Sequence, residues 1–409
     1  MRLKFLAVFT HQSPLILKRN HMKHRPAPLA RAALATCLLT LFGAVGSAAA
    51  ADPASAAPHQ LVKAAATVEL VFVLDTTGSM GGLLEGAKTK IWSIVNEIMQ
   101  ARSSQNMQVK VGLVAYRDRG DAYVTKVTPL SSNLDEVYSQ LMSFRAEGGG
   151  DTPEDVRTAL LHALEKVGWS QPGKHSSQIM FLVGDAPPHD DYSEVQDTVT
   201  TSKKARQSGI IINTIQCGNM PETVTPWRTI AQYGGGEYFA IEQGGGVNAI
   251  ATPYDAELSQ LGEKIGHTYL AYGKTEKRRA KQEKQAAMES RVAAAAPAPA
   301  AADRAVNKAI NSHAYDEADL VQQVAKGSTS LSSIAEADLP DALASLKPEQ
   351  RQAKLDQTAA ERRALQARIL ELSKQRDEFL ARQSHKAGPK TGFDASVAAA
   401  LAKQIKPVK

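Results

Sequence analysis

The run Val68-Glu69-Leu70-Val71-Phe72-Val73-Leu74 ends in Asp75-Thr76-Thr77-Gly78-Ser79. Apolar residues occupy both parities of this run, so both of its faces need burial, and it reads as a strand inside a parallel sheet. Gly78, Gly81 and Gly82 break the pattern before an amphipathic run opens at Leu83. Asp75, Thr77 and Ser79 therefore fall on a loop at the carboxyl end of a buried strand, just before a helix. Open α/β sheets bind their ligands there. Alternate residues of an extended loop point the same way, so three oxygen-bearing side chains converge. An oxygen-only site suits a hard divalent cation such as Mg²⁺ or Mn²⁺.

The same punctuation recurs downstream. Strands are expected at Val109–Tyr116, Tyr123–Val127 (short and mixed, hence an edge), Gln178–Gly184, Ile210–Gln216 and Glu237–Ile241. Helical periodicity covers Leu83–Ala101, Leu134–Phe144, Tyr192–Ser208 and Val224–Gln232, and another helix starts near Val247. In the glycine-rich loop Glu147–Asp155, Thr152 fits as a helix N-cap with Pro153 at the first helical position. Strands alternating with helices predict a doubly wound, mostly parallel α/β domain over 67–270. Beyond it, Lys274–Lys281 begins a charged, solvent-exposed helix, and Ala293–Ala302, with Pro297 and Pro299, reads as a linker, so that 271–302 separates two regions. Residues 303–409 read as an α-helical region. Its candidates are Asp316–Val324, Ile334–Leu346 and a long helix over Gln350–Gln383. Leu365, Ile369, Leu372 and Phe379 suggest a coiled-coil seam that Arg362 and Arg376 interrupt, which points to a helical hairpin packing on itself or on the α/β domain.

The amino-terminal part has a different character. From Met22 the chain runs through Lys23, Arg25 and Arg31 into an apolar stretch ending in Ser47-Ala48-Ala49-Ala50-Ala51. This is the pattern of a secretory signal peptide cut after Ala50 or Ala51, with residues 1–20 as an upstream extension; a retained membrane anchor is the competing reading. It predicts a protein exported across the inner membrane to the periplasm. Residues 52–66 form a flexible, Ala- and Pro-rich lead-in. The net charge of +6 also changes meaning: seven of the 48 Lys and Arg lie in residues 1–51, which hold no acid, leaving 41 basic against 42 acidic residues. Basicity is thus no argument for nucleic-acid binding. Cys37 belongs to the leader and Cys217 stands alone, so no internal disulfide supports the domain. No segment after the leader has the apolar length of a membrane span.

Two further loops join the first. Thr152 opens one and Asp185 ends the buried run Ile179–Val183. The set Asp75-x-Thr77-x-Ser79, Thr152 and Asp185, in this order, resembles the metal-ion-dependent adhesion site of the von Willebrand factor A domain. Gly112-Leu113-Val114-Ala115-Tyr116-Arg117-Asp118 and Gly184-Asp185-Ala186-Pro187-Pro188-His189 are similar to stretches of bacterial stand-alone members. The resemblance implies that Thr77 and Ser79 touch the metal directly, that Asp75 and Asp185 act through water or orient ligands, and that Thr152 enters or leaves the coordination shell. It departs from the family pattern at Thr77, where many members carry Ser, and a hydroxyl is kept. With few direct anionic ligands the ion stays electrophilic and has a position for a carboxylate of a protein partner. The implied function is a metal-dependent binding module, not a catalyst.

Individually these residues have plainer readings: Asp75 and Thr152 as helix caps, Asp185 as a turn former. Asp151 and Glu154 read either as groups that support the ligands from behind or, by preference, as helix-start acids; His189, on the third loop, reads as a ligand contact or, by preference, as a surface histidine; and Arg119-Gly120-Asp121, a tripeptide that integrins recognise, reads as an ordinary turn. Arg117-Asp118-Arg119 either rims the site or pairs with nearby acids. Two other function classes compete: a structural envelope protein acting through its carboxyl-terminal helices, and a metal-dependent hydrolase with Asp185 as general base. No phosphate loop, serine-hydrolase elbow or zinc-spaced His or Cys cluster is present, and Thr77 stands where a haloacid-dehalogenase-type phosphatase has its second Asp.

Overall fold

The computed structural model describes residues 66–101, 107–246, 250–384 and 392–405. The leader and most of the lead-in, and the expected helix start at Val247, lie outside them. The α/β part runs β1 (Ala66–Asp75), α1 (Gly81–Ala101), β2 (Met107–Tyr116), β3 (Thr125–Ser131), α2 (Leu134–Ser143), α3 (Val156–Glu165), β4 (Ser176–Gly184), α4 (Thr198–Gln207), β5 (Ile210–Cys217), α5 (Pro221–Gly234) and β6 (Gly235–Ile241). The six strands form one sheet in the order β3-β2-β1-β4-β5-β6. All neighbours are parallel except the edge pair β2–β3.

The double-sided apolar pattern of β1 is satisfied from both sides. Val68, Leu70, Phe72 and Leu74 face one core with Leu84, Ile91 and Val95 of α1 and Val137 and Leu141 of α2. Val71 and Val73 face the other, with Leu160 of α3 and Trp227 and Ile230 of α5. Each such buried aliphatic or aromatic side chain contributes about 1.5–3 kcal/mol. The chain leaves β1 for β2 on one side and returns to β4 on the other. The gap between the carboxyl ends of β1 and β4 is therefore the topological switch point.

The remaining helices are α6 (Asp255–His267), α7 (Thr275–Ala295), α8 (Ala298–Ile310), α9 (Leu320–Ala325), α10 (Asp341–Ala344), α11 (Pro348–Ser384) and α12 (Phe393–Gln404). The segment read as an Ala/Pro linker is helical on both sides of Pro297. Ala300 and Ala302 of α8 are fully buried, and the small side chains allow close packing. The helix expected to be solvent-exposed, α7, is exposed at most of its positions and buries Arg278, Met288, Glu289 and Val292. The coiled-coil seam is instead a contact within the chain, with Ile369 and Leu372 of α11 packing among Leu258, Ile265 and Val306 of α6 and α8. The two arginines that interrupt the seam are anchors. Arg362 donates to both the hydroxyl and the carbonyl of Thr268 at 2.7 Å and pairs with Asp319. Arg376 pairs with Asp255 at 2.7 Å and with Asp303 at 2.6 Å. The last helix, α12, returns to the sheet: Phe393 lies 6.0 Å from Phe72, ring to ring, and Asn213 of β5 exchanges amide hydrogen bonds with Gln404 at 2.8–2.9 Å.

Two helix starts differ from expectation. Thr152 is exposed and does not cap α3; Asp155 does, accepting from Thr158 N at 2.9 Å. The reason is a β-bridge between Glu154 and Pro188, which keeps residue 154 extended. The helix expected from Tyr192 begins at Thr198, capped by Asp197, because Arg157 holds the preceding loop by the carbonyls of Asp190 and Tyr192.

A buried ion-pair chain joins α8 to α2 and α7. Arg304 donates to Asp135 at 2.6 Å and to Glu289 at 2.8 Å, and Lys308 donates to Glu289 at 2.5 Å. Burial opposes the Asp135 charge, but Arg304 and Lys308 prevail and hold its carboxyl below the usual range. Burial and the neighbouring Arg304 pull the Lys308 ammonium down to about 8. Removing one partner strands the others without water, at a cost of about 3–5 kcal/mol. Arg304→Ala is expected to lose about that much in urea denaturation, whereas Arg368→Ala, which breaks exposed pairs to Glu257 and Glu371, is expected to lose less than about 1 kcal/mol.

Candidate metal centre

Asp75 is the last residue of β1 and Asp185 follows β4, so parallel pairing sets their backbones side by side. Gly184 makes the approach possible. A Cβ there would lie 2.4 Å from Tyr116 Oη and 3.1 Å from Asp75 Oδ2. Asp75 has no exposed surface. Its Oδ1 accepts from Thr77 N at 2.9 Å and from Thr77 Oγ1 at 2.7 Å, while Oδ2 is buried without a partner. Thr77 Oγ1 is 3.4 Å from the hydroxyl of Ser79, which is exposed. Three of the expected residues thus form one hydrogen-bonded chain that opens to solvent at Ser79. The extra methyl of Thr77 is accommodated, with that residue 2 % exposed.

Asp185 joins them through Gln243. The Gln243 amide donates to Asp185 Oδ2 at 2.6 Å and to the Ser79 carbonyl at 3.4 Å. The glycine-rich loop docks on the first loop by backbone bonds, Gly78 N to Gly148 O (3.2 Å) and Glu147 N to Thr76 O (3.1 Å). Thr152 lies on the exposed side of that loop, and among the described residues its hydroxyl is not hydrogen-bonded to the other four.

Two residues that the sequence reading did not place belong here. Glu154, read as a helix-start acid, is 3 % exposed, and its Oε2 is buried without a partner. Its backbone ties the second loop to the third: Glu154 N donates to Pro187 O (3.0 Å) and Glu154 O accepts from His189 N (3.1 Å). The signal was an acid following Pro153 in a glycine-rich loop, which a helix start explains equally well. Gln243 carried no signal, being separated from Asp185 by two strands.

The rim is negatively charged with little compensation. Burial pushes the Asp75 carboxyl up to about 7, with Asp185 adding to the shift against the Thr77 hydrogen bonds. Burial, then the charges of Asp75, Asp118, Asp121 and Asp185, push Glu154 up to about 9. The nearby cations are committed elsewhere. Arg117 donates to the carbonyls of Thr76 (3.1 Å) and Arg145 (2.7 Å), and Arg119 pairs with Asp155 (3.2 Å) and Glu194. Cys217 lies behind the site, where burial and then the charges of Asp185 and Asp75 push its thiol up, away from the reactive thiolate.

Acids with raised native pKa values bind more protons folded than unfolded, so their contribution is complete below the ordinary carboxylate range and is lost as pH rises through the native values. The metal-free protein should therefore lose melting temperature between about pH 4 and about pH 9. Asp75→Asn should flatten that slope, and saturating Mg²⁺ should reverse it. An Asp75→Asn profile parallel to wild type would show that Asp75 does not carry the effect.

Residues 69–243 match the sequence profile of the von Willebrand factor A domain. The human von Willebrand factor A domain-containing protein 7 is 32 % identical over 145 residues, 35 % of this chain and 14 % of that protein. A putative ariadne-like RING finger protein of Acanthamoeba polyphaga mimivirus is 34 % identical over 124 residues, 30 % of this chain and 11 % of that protein. The chain thus spans a small fraction of the length of these relatives. Among solved structures, the protein BatB from Bacteroides thetaiotaomicron covers 43 % of this chain and 90 % of its own, at 17 % identity and a TM-score of 0.32. Domains of this family generally serve protein interaction and often hold a divalent metal. Residues 69–243 of the chain are thus a von Willebrand factor A domain.

Proposed function

We propose that this domain binds Mg²⁺ or Mn²⁺ through Asp75, Thr77, Ser79, Thr152 and Asp185, and that the ion captures a carboxylate presented by a protein partner. The observation that carries this reading is the pair of orphaned buried oxygens, Asp75 Oδ2 and Glu154 Oε2. A buried carboxylate without a counter-charge costs several kcal/mol, and such groups cluster at functional sites. A divalent cation removes the penalty. The donor set is oxygen-only, which suits these ions. Thr77 already donates its proton to Asp75, so its lone pairs are free for a metal. Glu154, its carboxyl pushed up to about 9, lies protonated behind the site and ionises as the cation binds, and Thr152 reaches the ion by a shift of its exposed loop.

Neutral hydroxyl ligands leave the ion electron-poor, and the exposed Ser79 marks the side from which an outside carboxylate arrives. Binding, rather than hydrolysis, fits Asp185: its Oδ2 already accepts a hydrogen bond from Gln243, which lowers its value as a base. The signal-like pattern of residues 22–51 supports a partner in the periplasm. The carboxyl-terminal helices then support the domain through their buried ion pairs.

The test is thermal unfolding of the full chain with Mg²⁺ at about a hundredfold excess over its dissociation constant, which stabilises by about 2.7 kcal/mol. For a domain of this size that is a rise of several degrees, roughly 2–4 °C per kcal/mol. Asp75→Ala should remain folded, judged by circular dichroism, and lose the rise. Capture of an acidic partner peptide should vanish with chelator and with this variant. An equal rise in wild type and Asp75→Ala sinks the site assignment.

A further inference from the structure

A second group of ligating atoms lies on the same rim and uses none of the five residues above. Asp118 follows β2, Asp151 sits in the glycine-rich loop, and His189 sits in the loop after β4. One carboxylate oxygen of each Asp and Nε2 of His189 lie within 4.8 Å of one another. His189 Nε2 is 3.5 Å from Asp118 Oδ2 and 3.6 Å from Asp151 Oδ2. These separations are too long for good hydrogen bonds. They match the edge, about 3.4 Å, of a tetrahedron with metal–ligand bonds of about 2.1 Å.

The imidazole is prepared as a ligand. Its Nδ1 is 2.8 Å from Asp191 Oδ1, so Nδ1 carries the proton and the Nε2 lone pair faces Asp118 and Asp151. That is the arrangement in which a carboxylate orients a metal-binding histidine. Nε2 is shut off from solvent and has no hydrogen-bond partner, and the side chain is 11 % exposed. The ring stacks on Tyr192 at 4.1 Å and 11°. The Tyr192 hydroxyl in turn donates to both oxygens of Asp118, at 2.9 and 3.0 Å, so one side chain positions two candidate ligands. Arg119 covers the Tyr192 ring and keeps its charge on Asp155 and Glu194. The unpartnered Glu154 nearby, 3 % exposed, feels burial and then the charges of Asp75 and Asp118, which hold its carboxyl protonated.

A lone pair facing two carboxylates is repelled unless a positive centre stands between them. A proton on Nε2 would need a shorter acceptor than 3.5 Å. We infer that Asp118, Asp151 and His189 form a second cation site, separate from the Asp75 loop, which takes a divalent ion that accepts imidazole, of the Mn²⁺ or Zn²⁺ class. Imidazole disfavours Mg²⁺ and Ca²⁺ there. The bound ion clamps the loops after β2 and β4 to the glycine-rich loop.

The full chain, stripped of metal, is titrated with Mn²⁺ and followed by electron paramagnetic resonance, with electron spin echo to detect nitrogen coupled to the bound ion. Wild type should bind two ions, with nitrogen modulation on one. His189→Gln should lose the modulation and bind one ion at least about tenfold more weakly. Asp151→Asn, at an exposed position with little risk to folding, should weaken the same ion. Asp75→Asn should keep the nitrogen signal, so failure of the first site leaves this inference standing, and the reverse. A wild type without nitrogen modulation, or a His189→Gln protein with unchanged Mn²⁺ uptake and spectrum, overturns the inference.

Discussion

The structure turns on a carboxylate carried to a place where neither water nor a protein cation meets it. Asp75 ends a strand buried on both faces, and parallel pairing sets it against the backbone that leads to Asp185. The sheet order makes this unavoidable. With β1 and β4 adjacent and their connections leaving to opposite sides, the loops after them share one rim. Gly184 allows the strands to close there without a side chain between Tyr116 and Asp75. The second loop is then drawn in by its backbone, through Gly148 to the first loop and through Glu154 to the third. The positions of the acids follow from hydrogen bonds that have no charge of their own.

Elsewhere in the chain, buried carboxylates are treated differently. Asp135 and Glu289 meet Arg304 and Lys308; Asp319 meets Arg362; Asp255 and Asp303 meet Arg376. Burial still lifts the Asp303 carboxyl to about 6 against its arginine. These pairs fix how α7 and α8 lie on α2 and hold α11 against α6 and α8. The contrast separates two uses of buried charge. A carboxylate with a committed arginine gives register, because only one docking satisfies it. A carboxylate without one, as at Asp75 and Glu154, leaves room for a ligand to supply the charge.

Much of the fold was readable in one dimension because its signals are local. The apolar runs of β1 and β4 declare burial on two faces, and the mixed composition of β3 declares an edge. The residues Asp75, Thr77 and Ser79 sit within five positions, so their convergence needs only a loop. Glu154 looks like a helix-start acid for a local reason. The bridge between Glu154 and Pro188 extends a segment that Thr152 and Pro153 mark as a helix start, and Glu154, a polar residue with the pattern of a surface group, is buried there. Arg362 and Arg376 looked like flaws in a seam because their partners, Asp319, Asp255 and Asp303, are far away in sequence. The Ala- and Pro-rich stretch looked like a linker because small residues neither attract nor exclude; packing against α1 and α6 decided that Ala298–Ile310 is a helix.

The sequence by itself determined the alternation of strands and helices, the double-sided core and the cluster of oxygen-bearing side chains at the end of β1. These depend on periodicity and on residues a few positions apart, where chain geometry leaves little choice. Only the tertiary structure decided which acids remain without a counter-charge. Whether a carboxylate is paired depends on every cation within reach in three dimensions. At the rim of this sheet Arg117 is drawn to backbone carbonyls and Arg119 to Asp155 and Glu194, which leaves Asp75 and Glu154 unpaired.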